Sequence, residues 1–92
     1  MSDHPPYRVE ISRAAQKSMA RLPRDLRQRL TQAIFRLGEN PRPRGYAQLK
    51  GHEGLYFRVR VGDWRIIYTI DDHVLVVTVV QVGPRGDVYT NL

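Results

Sequence analysis

Cysteine is missing from all 92 residues. That excludes disulfides, thiolate nucleophiles and cysteine-based zinc sites, and it fits a reducing compartment such as the cytoplasm. Long apolar runs are missing too. The longest, Val74 to Val80, is broken only by Thr78 and suits a buried strand; a membrane helix needs roughly 20 such residues, so no membrane association is expected. The segment from Met1 to Tyr7 holds two prolines and no hydrophobic core, which argues against a signal peptide. Histidine is scarce. His4, His52 and His73 fall in three separate segments without metal-ligand spacing, so neither a metal nor another cofactor is expected. There is no glycine-rich phosphate loop and no nucleophile elbow. Repeats, low-complexity tracts and linkers are also absent. The length then predicts one domain spanning residues 1–92.

Acidic residues are few, 9 against 15 lysines and arginines, leaving a net charge of +6. Lysine is rare as well, because 13 of the 15 basic residues are arginine. With 41% hydrophobic residues the chain is not a disordered basic tail. A folded, arginine-rich surface points to polyanions: the planar guanidinium grips phosphate at two points and stacks on bases. The alternatives are a solvated basic surface, or one reserved for an acidic protein partner.

The hydrophobic period divides the chain. Tyr7 to Ile11 alternates and predicts a short first strand. Ser12 is placed to cap a helix with the apolar stripe Ala15, Met19 and Leu22, which Pro23 ends. A second helix is expected from about Arg24 to Glu39, on Leu26, Leu30, Ala33, Ile34 and Leu37, stopped by Asn40-Pro41. The stretch from Pro41 to Lys50 predicts a loop with three basic residues, Arg42, Arg44 and Lys50. The period then changes to two. Leu55 to Val61, Trp64 to Ile70 and Val74 to Val82 predict three strands, with turns at Gly62-Asp63 and Asp71-Asp72-His73. The expected fold class is α+β: an N-terminal strand, a helical hairpin, then a three-strand antiparallel meander. The helices pack on one face of the sheet and leave the other open.

Arg58 and Arg60 are two apart on a strand and share a face. If Gly62-Asp63 is a two-residue turn, Val61 pairs with Trp64, Arg60 sits opposite Arg65, and Arg58 sits opposite Ile67. Three guanidiniums then gather on one face, while Val59, Val61, Trp64 and Ile66 turn toward the helices. Like charges placed opposite each other oppose folding by several tenths of a kcal/mol. No carboxylate shares the face in this register. The cluster therefore suits an external anion better than an internal ion pair.

The string Arg58-Val59-Arg60-Val61-Gly62-Asp63-Trp64-Arg65-Ile66-Ile67-Tyr68 resembles the core signature of the RelE/ParE superfamily of toxin–antitoxin toxins. Leu49-Lys50-Gly51 before it, Gly83-x-Arg85 with Val88-Tyr89 after it, and the order of elements extend the resemblance from Tyr7 to Tyr89. The RelE-like branch implies a metal-independent, ribosome-dependent messenger RNA endoribonuclease that inhibits translation. The implied site is Arg58 and Arg60 lining the RNA, Arg65 on the scissile phosphate, and Arg85 with Tyr89 completing it. Lys50, Arg42 and Arg44 are expected to add RNA contacts. The implied partners are a cognate antitoxin, the ribosome and its messenger RNA, with the toxin monomeric alone and in higher-order complexes with antitoxin.

The resemblance has two departures. Well-known members carry lysine where this chain has Arg58 and Arg60, and many carry a polar residue where it has Pro84. Both changes remove groups able to exchange protons, since arginine stays charged below about pH 12. The chemistry implied needs no metal because RNA brings its own nucleophile. The 2′-hydroxyl attacks the adjacent phosphorus, leaving a 2′,3′-cyclic phosphate and a 5′-hydroxyl. Arginines stabilise the charge that develops. Tyr89 is the first candidate for the base, because a positive field favours the phenolate; His52 is the second. Two other functions fit the same residues. One is the gyrase inhibition of ParE-type members, and the other is a non-catalytic RNA- or partner-binding module.

Overall fold

The computed structural model describes residues 6–49 and 55–84. It contains β1 (Arg8–Ile11), α1 (Arg13–Ala20), α2 (Arg24–Glu39), β2 (Ala47–Gln48), β3 (Phe57–Val61), β4 (Trp64–Asp71) and β5 (Val76–Pro84). The strands form one sheet in the order β1-β5-β4-β3-β2. The meander β3-β4-β5 is antiparallel as expected, and β1 joins it in parallel beside β5, Arg8 opposite Val76 and Ile11 opposite Val79. Both helices match the expected spans. Ala15 and Met19 of α1 and Leu30, Ile34 and Leu37 of α2 are buried against Phe57, Val59, Ile66, Tyr68, Val77, Val79 and Val82 of the sheet. Among the described residues, no helix is long and apolar enough to cross a membrane.

Ser12 fastens α1 to the sheet. Its Oγ accepts from Ala15 N at 3.1 Å and donates to Val80 O at 3.0 Å, while its own N donates to Val79 O at 2.8 Å. The cap was legible from sequence; the grip on β5 was not. One side chain therefore serves a helix end and an irregular strand carbonyl. Ser12→Ala should lower stability by about 1–2 kcal/mol. Denaturant melts with an unchanged midpoint would show that neither bond matters.

Several expectations are corrected. Residues 41–50 are not all loop: Ala47 pairs with Arg58 and Gln48 with Phe57, and Leu49 N continues the ladder to Tyr56 O at 2.8 Å. Two residues are too few to show a period. The last strand starts at Val76 rather than Val74. Asp71 Oδ1 accepts from the backbone of His73 and Val74, and Leu75 takes a φ of 58°. That left-handed turn is unfavourable for a branched side chain, but it delivers Leu75 O to Arg8 N at 2.8 Å and so docks β1. Val74 and Leu75 consequently stay exposed. Trp64 is half-buried against the core rather than enclosed by it, because it sits at the first position of β4, beside the hairpin turn.

The far face of the sheet is also not open throughout. Ile67 on that face is 0% exposed and Arg65 is 9% exposed. β4 lies in the middle of the sheet, between β3 and β5. On the neighbouring strand β3 the face is more open, with Arg58 half-buried and Arg60 exposed.

Candidate nucleic-acid interface

The β3–β4 hairpin sets the geometry. Gly62 has a φ of 60° and Asp63 does not share the positive region. This is the pattern of a two-residue turn with glycine first. It yields the pairs Val61 with Trp64, Arg60 with Arg65, and Arg58 with Ile67. On its other side β4 places Arg65 opposite Gly83 and Ile67 opposite Gln81. The face away from the core thus carries two cross-strand rows, Arg60–Arg65–Gly83 and Arg58–Ile67–Gln81. Directly paired residues point the same way, which fixes this assignment. Gly83 contributes no side chain beside Arg65.

The three arginines differ in setting. Arg65 is nearly buried, which strengthens any charge–charge interaction it makes. Arg58 Nη1 donates to Gly45 O at 3.3 Å, tying the strand to the loop that precedes β2. Arg60 projects into solvent. The ion pairs among the described residues are Arg8–Glu10 and Arg42–Asp72, so no described carboxylate neutralises Arg58 or Arg60. No group of three potential metal ligands comes together among the described residues.

Arg44 joins this cluster, and Arg42 does not. A cleft of about 410 Å³ between α2 and β3 is lined by Arg44, Arg58 and Arg60 together with Arg36 of α2, over a floor that includes Leu37 and Val59. A neighbouring hollow adds Arg29, two helical turns before Arg36. Neither α2 arginine was singled out from the sequence. Their spacing of seven, which puts them on one helix face, was the available signal. Arg42 is engaged by Asp72, just past the other end of β4. Asp72 lies seven residues from Arg65, roughly 23 Å along an extended strand at ~3.3 Å per residue. There Arg42 Nη2 lies 2.8 Å from Asp72 Oδ2, and Tyr7 OH donates to Asp72 Oδ1. Lys50, His52, Arg85 and Tyr89 lie outside the described residues.

The Arg42–Asp72–Tyr7 clasp ties the residue before β1, the loop after α2 and the β4–β5 turn. Hydrogen bonding from Arg42, then from Tyr7, holds the Asp72 carboxyl below the usual carboxylate range. A depressed carboxylate stabilises the fold above its unfolded pKa of about 3.9 and ceases to do so as pH falls through its folded value. Asp72→Asn should therefore lower the melting temperature at neutral pH, and the gap to wild type should close below about pH 4. A gap that persists in acid would mean the carboxylate charge is not what holds the clasp.

Tyr68 is fixed differently. It is fully buried, its OH donates to Pro41 O at 2.7 Å, and burial pushes its phenol well above the ordinary tyrosine range. Its ring continues a chain with Phe57 and Tyr46, each neighbouring pair 5.9 Å apart between centroids. The tyrosine that closes the signature string therefore anchors the loop carrying Arg44, and its proton is not available for chemistry.

Comparison with known proteins agrees with this fold. The family model for the ParE toxin of type II toxin–antitoxin systems matches residues 9–89. Toxin RelE of Mycobacterium tuberculosis is 33% identical over 90 residues, covering 97% of this chain and 92% of the relative. The archaeal RelE–RelB complex from Pyrococcus horikoshii contains a chain that superposes with a TM-score of 0.77 at 29% identity, over 89% of this chain and 98% of that one. A chain of the RelBE2 toxin–antitoxin complex from Mycobacterium tuberculosis superposes equally well, TM-score 0.77 at 27% identity, over 87% and 99%.

Proposed function

Because the chain belongs to the RelE/ParE superfamily of type II toxin–antitoxin toxins, we propose that it is a metal-independent endoribonuclease that cuts messenger RNA held in the ribosome. The observation that carries this reading is the Arg60–Arg65 pair, fixed opposite one another with Arg58 on the same face. An enclosed guanidinium beside two more accessible ones suits a phosphate that must gain charge in the transition state. Arg65 holds the nonbridging oxygens, and Arg58 and Arg60 run along the adjoining backbone. The RNA 2′-hydroxyl gives its proton to Tyr89 as base and attacks the phosphorus. The bond to the 5′-oxygen breaks, Arg85 stabilises the departing oxygen by hydrogen bonding, and water supplies the proton that completes the 5′-hydroxyl. No described side chain on this face is a good base, so the ribosome, by bending the strand into line, supplies much of the missing advantage.

Cleavage on programmed ribosomes is the direct test, with primer extension locating the cut and end-labelling showing a 5′-hydroxyl. RNA affinity should fall with salt. Contacts from Arg58, Arg60, Arg65, Arg85 and Lys50 predict a slope of roughly −2 to −4 in log K against log salt, at about −0.7 per phosphate. A flat dependence would leave the basic face without its role.

An antitoxin partner follows from the RelB-bound relatives. The α2–β3 cleft suits an acidic, partly apolar segment of it, since arginines rim an apolar floor. Gyrase inhibition is the second reading, favoured by the ParE family model that spans residues 9–89. A supercoiling assay run beside the translation assay separates the two.

A further inference from the structure

We propose that the side-chain amide of Gln81 contacts a nucleobase of the bound RNA, adenine in preference to the others, next to the phosphate held by Arg65. This rests on the reading that the arginine face holds RNA. Its starting point is an irregularity in β5. Val77 and Val79 point into the core, so strict alternation would send Gln81 there as well. The register instead shifts between Ile67 and Tyr68: Tyr68 faces Val79, Ile67 faces Gln81, and Val80 is the extra residue. Val79 and Val82 both stay in the core, and Gln81 is turned to the arginine face. Bulges commonly re-aim a side chain beside a functional site.

What the bulge delivers there has an acceptor left unsatisfied among the described residues. Gln81 Oε1 is buried and accepts no hydrogen bond from any described residue. A buried acceptor without a donor is destabilising, and such groups need an explanation. Arg65 stands opposite Gly83, and Gln81 is two residues along the same strand. The two side chains are therefore diagonal neighbours, about 7–8 Å apart at the backbone, with only a glycine on β5 in the row of Arg65. The chemistry fits a division of labour. Arginines that grip phosphates carry no base information. An amide offers one acceptor and two donors, the pattern that pairs with the amino group and ring nitrogen of adenine. Unpaired RNA bases present those edges freely.

The test is binding of the single-base hexamers rA6, rC6 and rU6 to the purified protein at one low salt concentration. Wild type should favour rA6 on the order of tenfold. Gln81→Leu should bring the three to within about twofold by weakening rA6 toward the level of rC6 and rU6, whose affinity stays put because the phosphate contacts remain. Gln81→Glu keeps an acceptor but loses the donors, so it should shift preference toward rC6, whose amino group donates. Gln81→Leu should also melt no lower than wild type, since it removes an orphaned acceptor. Gln81→Met replaces it if leucine does not fold. A base preference identical in wild type and Gln81→Leu overturns the proposal. So does a clearly lower melting temperature with unchanged preference, which would make the amide a structural group bound to internal water. Primer extension on programmed ribosomes separates this from the broader reading. A Gln81-dependent base preference without cleavage sinks the endoribonuclease and keeps the base contact; cleavage with a preference that Gln81→Leu leaves unaltered does the reverse.

Discussion

Replacing Arg65 with alanine should lower single-turnover cleavage on programmed ribosomes by on the order of 100- to 1,000-fold, the loss expected when one preorganised charge donor to a transition state is removed. The size follows from its position. Arg65 is on the central strand, nearly enclosed, and held between Arg60 and Gly83. A charge in that setting acts through a lower effective dielectric than one in water. Arg60, its cross-strand neighbour, is exposed, so Arg60→Ala should cost much less and mainly in binding. Arg65→Lys should recover part of the loss, because the charge returns without the planar fork that takes two oxygens at once. Arg65→Ala also removes a packed stem, so a modest drop in stability is expected, and rates must be compared well below the melting temperature. If Arg65→Ala cleaves within a few-fold of wild type, the phosphate is held elsewhere.

How far the sequence alone reaches is clear from this hairpin. The Arg60–Arg65 pairing was legible because a Gly-Asp pair between two alternating runs permits one short turn, and that turn fixes every pair behind it. The helices were legible because apolar spacing, Ser12 and Pro23 all agreed on their limits. The bulge in β5 was not. A run of valines gives either face the same character, so nothing local says whether Val80 or Gln81 is the residue out of step. The clasp was invisible for another reason: Arg42 and Asp72 are 30 positions apart, and no local pattern links them. Arg42, expected to add an RNA contact, is also held by this carboxylate. The enclosure of Arg65 depends on which strand lies at the centre of the sheet.

Tyr89→Phe should reduce single-turnover cleavage by tenfold or more, on the order expected for losing a general base, with little change in affinity because the ring and its stacking surface remain. The assignment rests on the resemblance of Val88-Tyr89 to the superfamily's closing motif, and two of the other tyrosines are engaged elsewhere. Tyr68 is buried, donates to Pro41 O, and has its phenol pushed far up. Tyr7 donates to Asp72, and that bond raises its pKa. The arginine face, by contrast, supplies a positive field, which favours a phenolate. Tyr68→Phe is the control. It should lower stability by roughly 1–2 kcal/mol, since Pro41 O loses its donor, and leave the chemical step intact. His52→Ala addresses the other candidate base. Chelators should not affect the chemical step while the ribosomes stay assembled. A Tyr89→Phe protein that cleaves at the wild-type rate, beside an inactive His52→Ala protein, would move the base to the connection between β2 and β3. The C-terminal motif would then contribute binding alone.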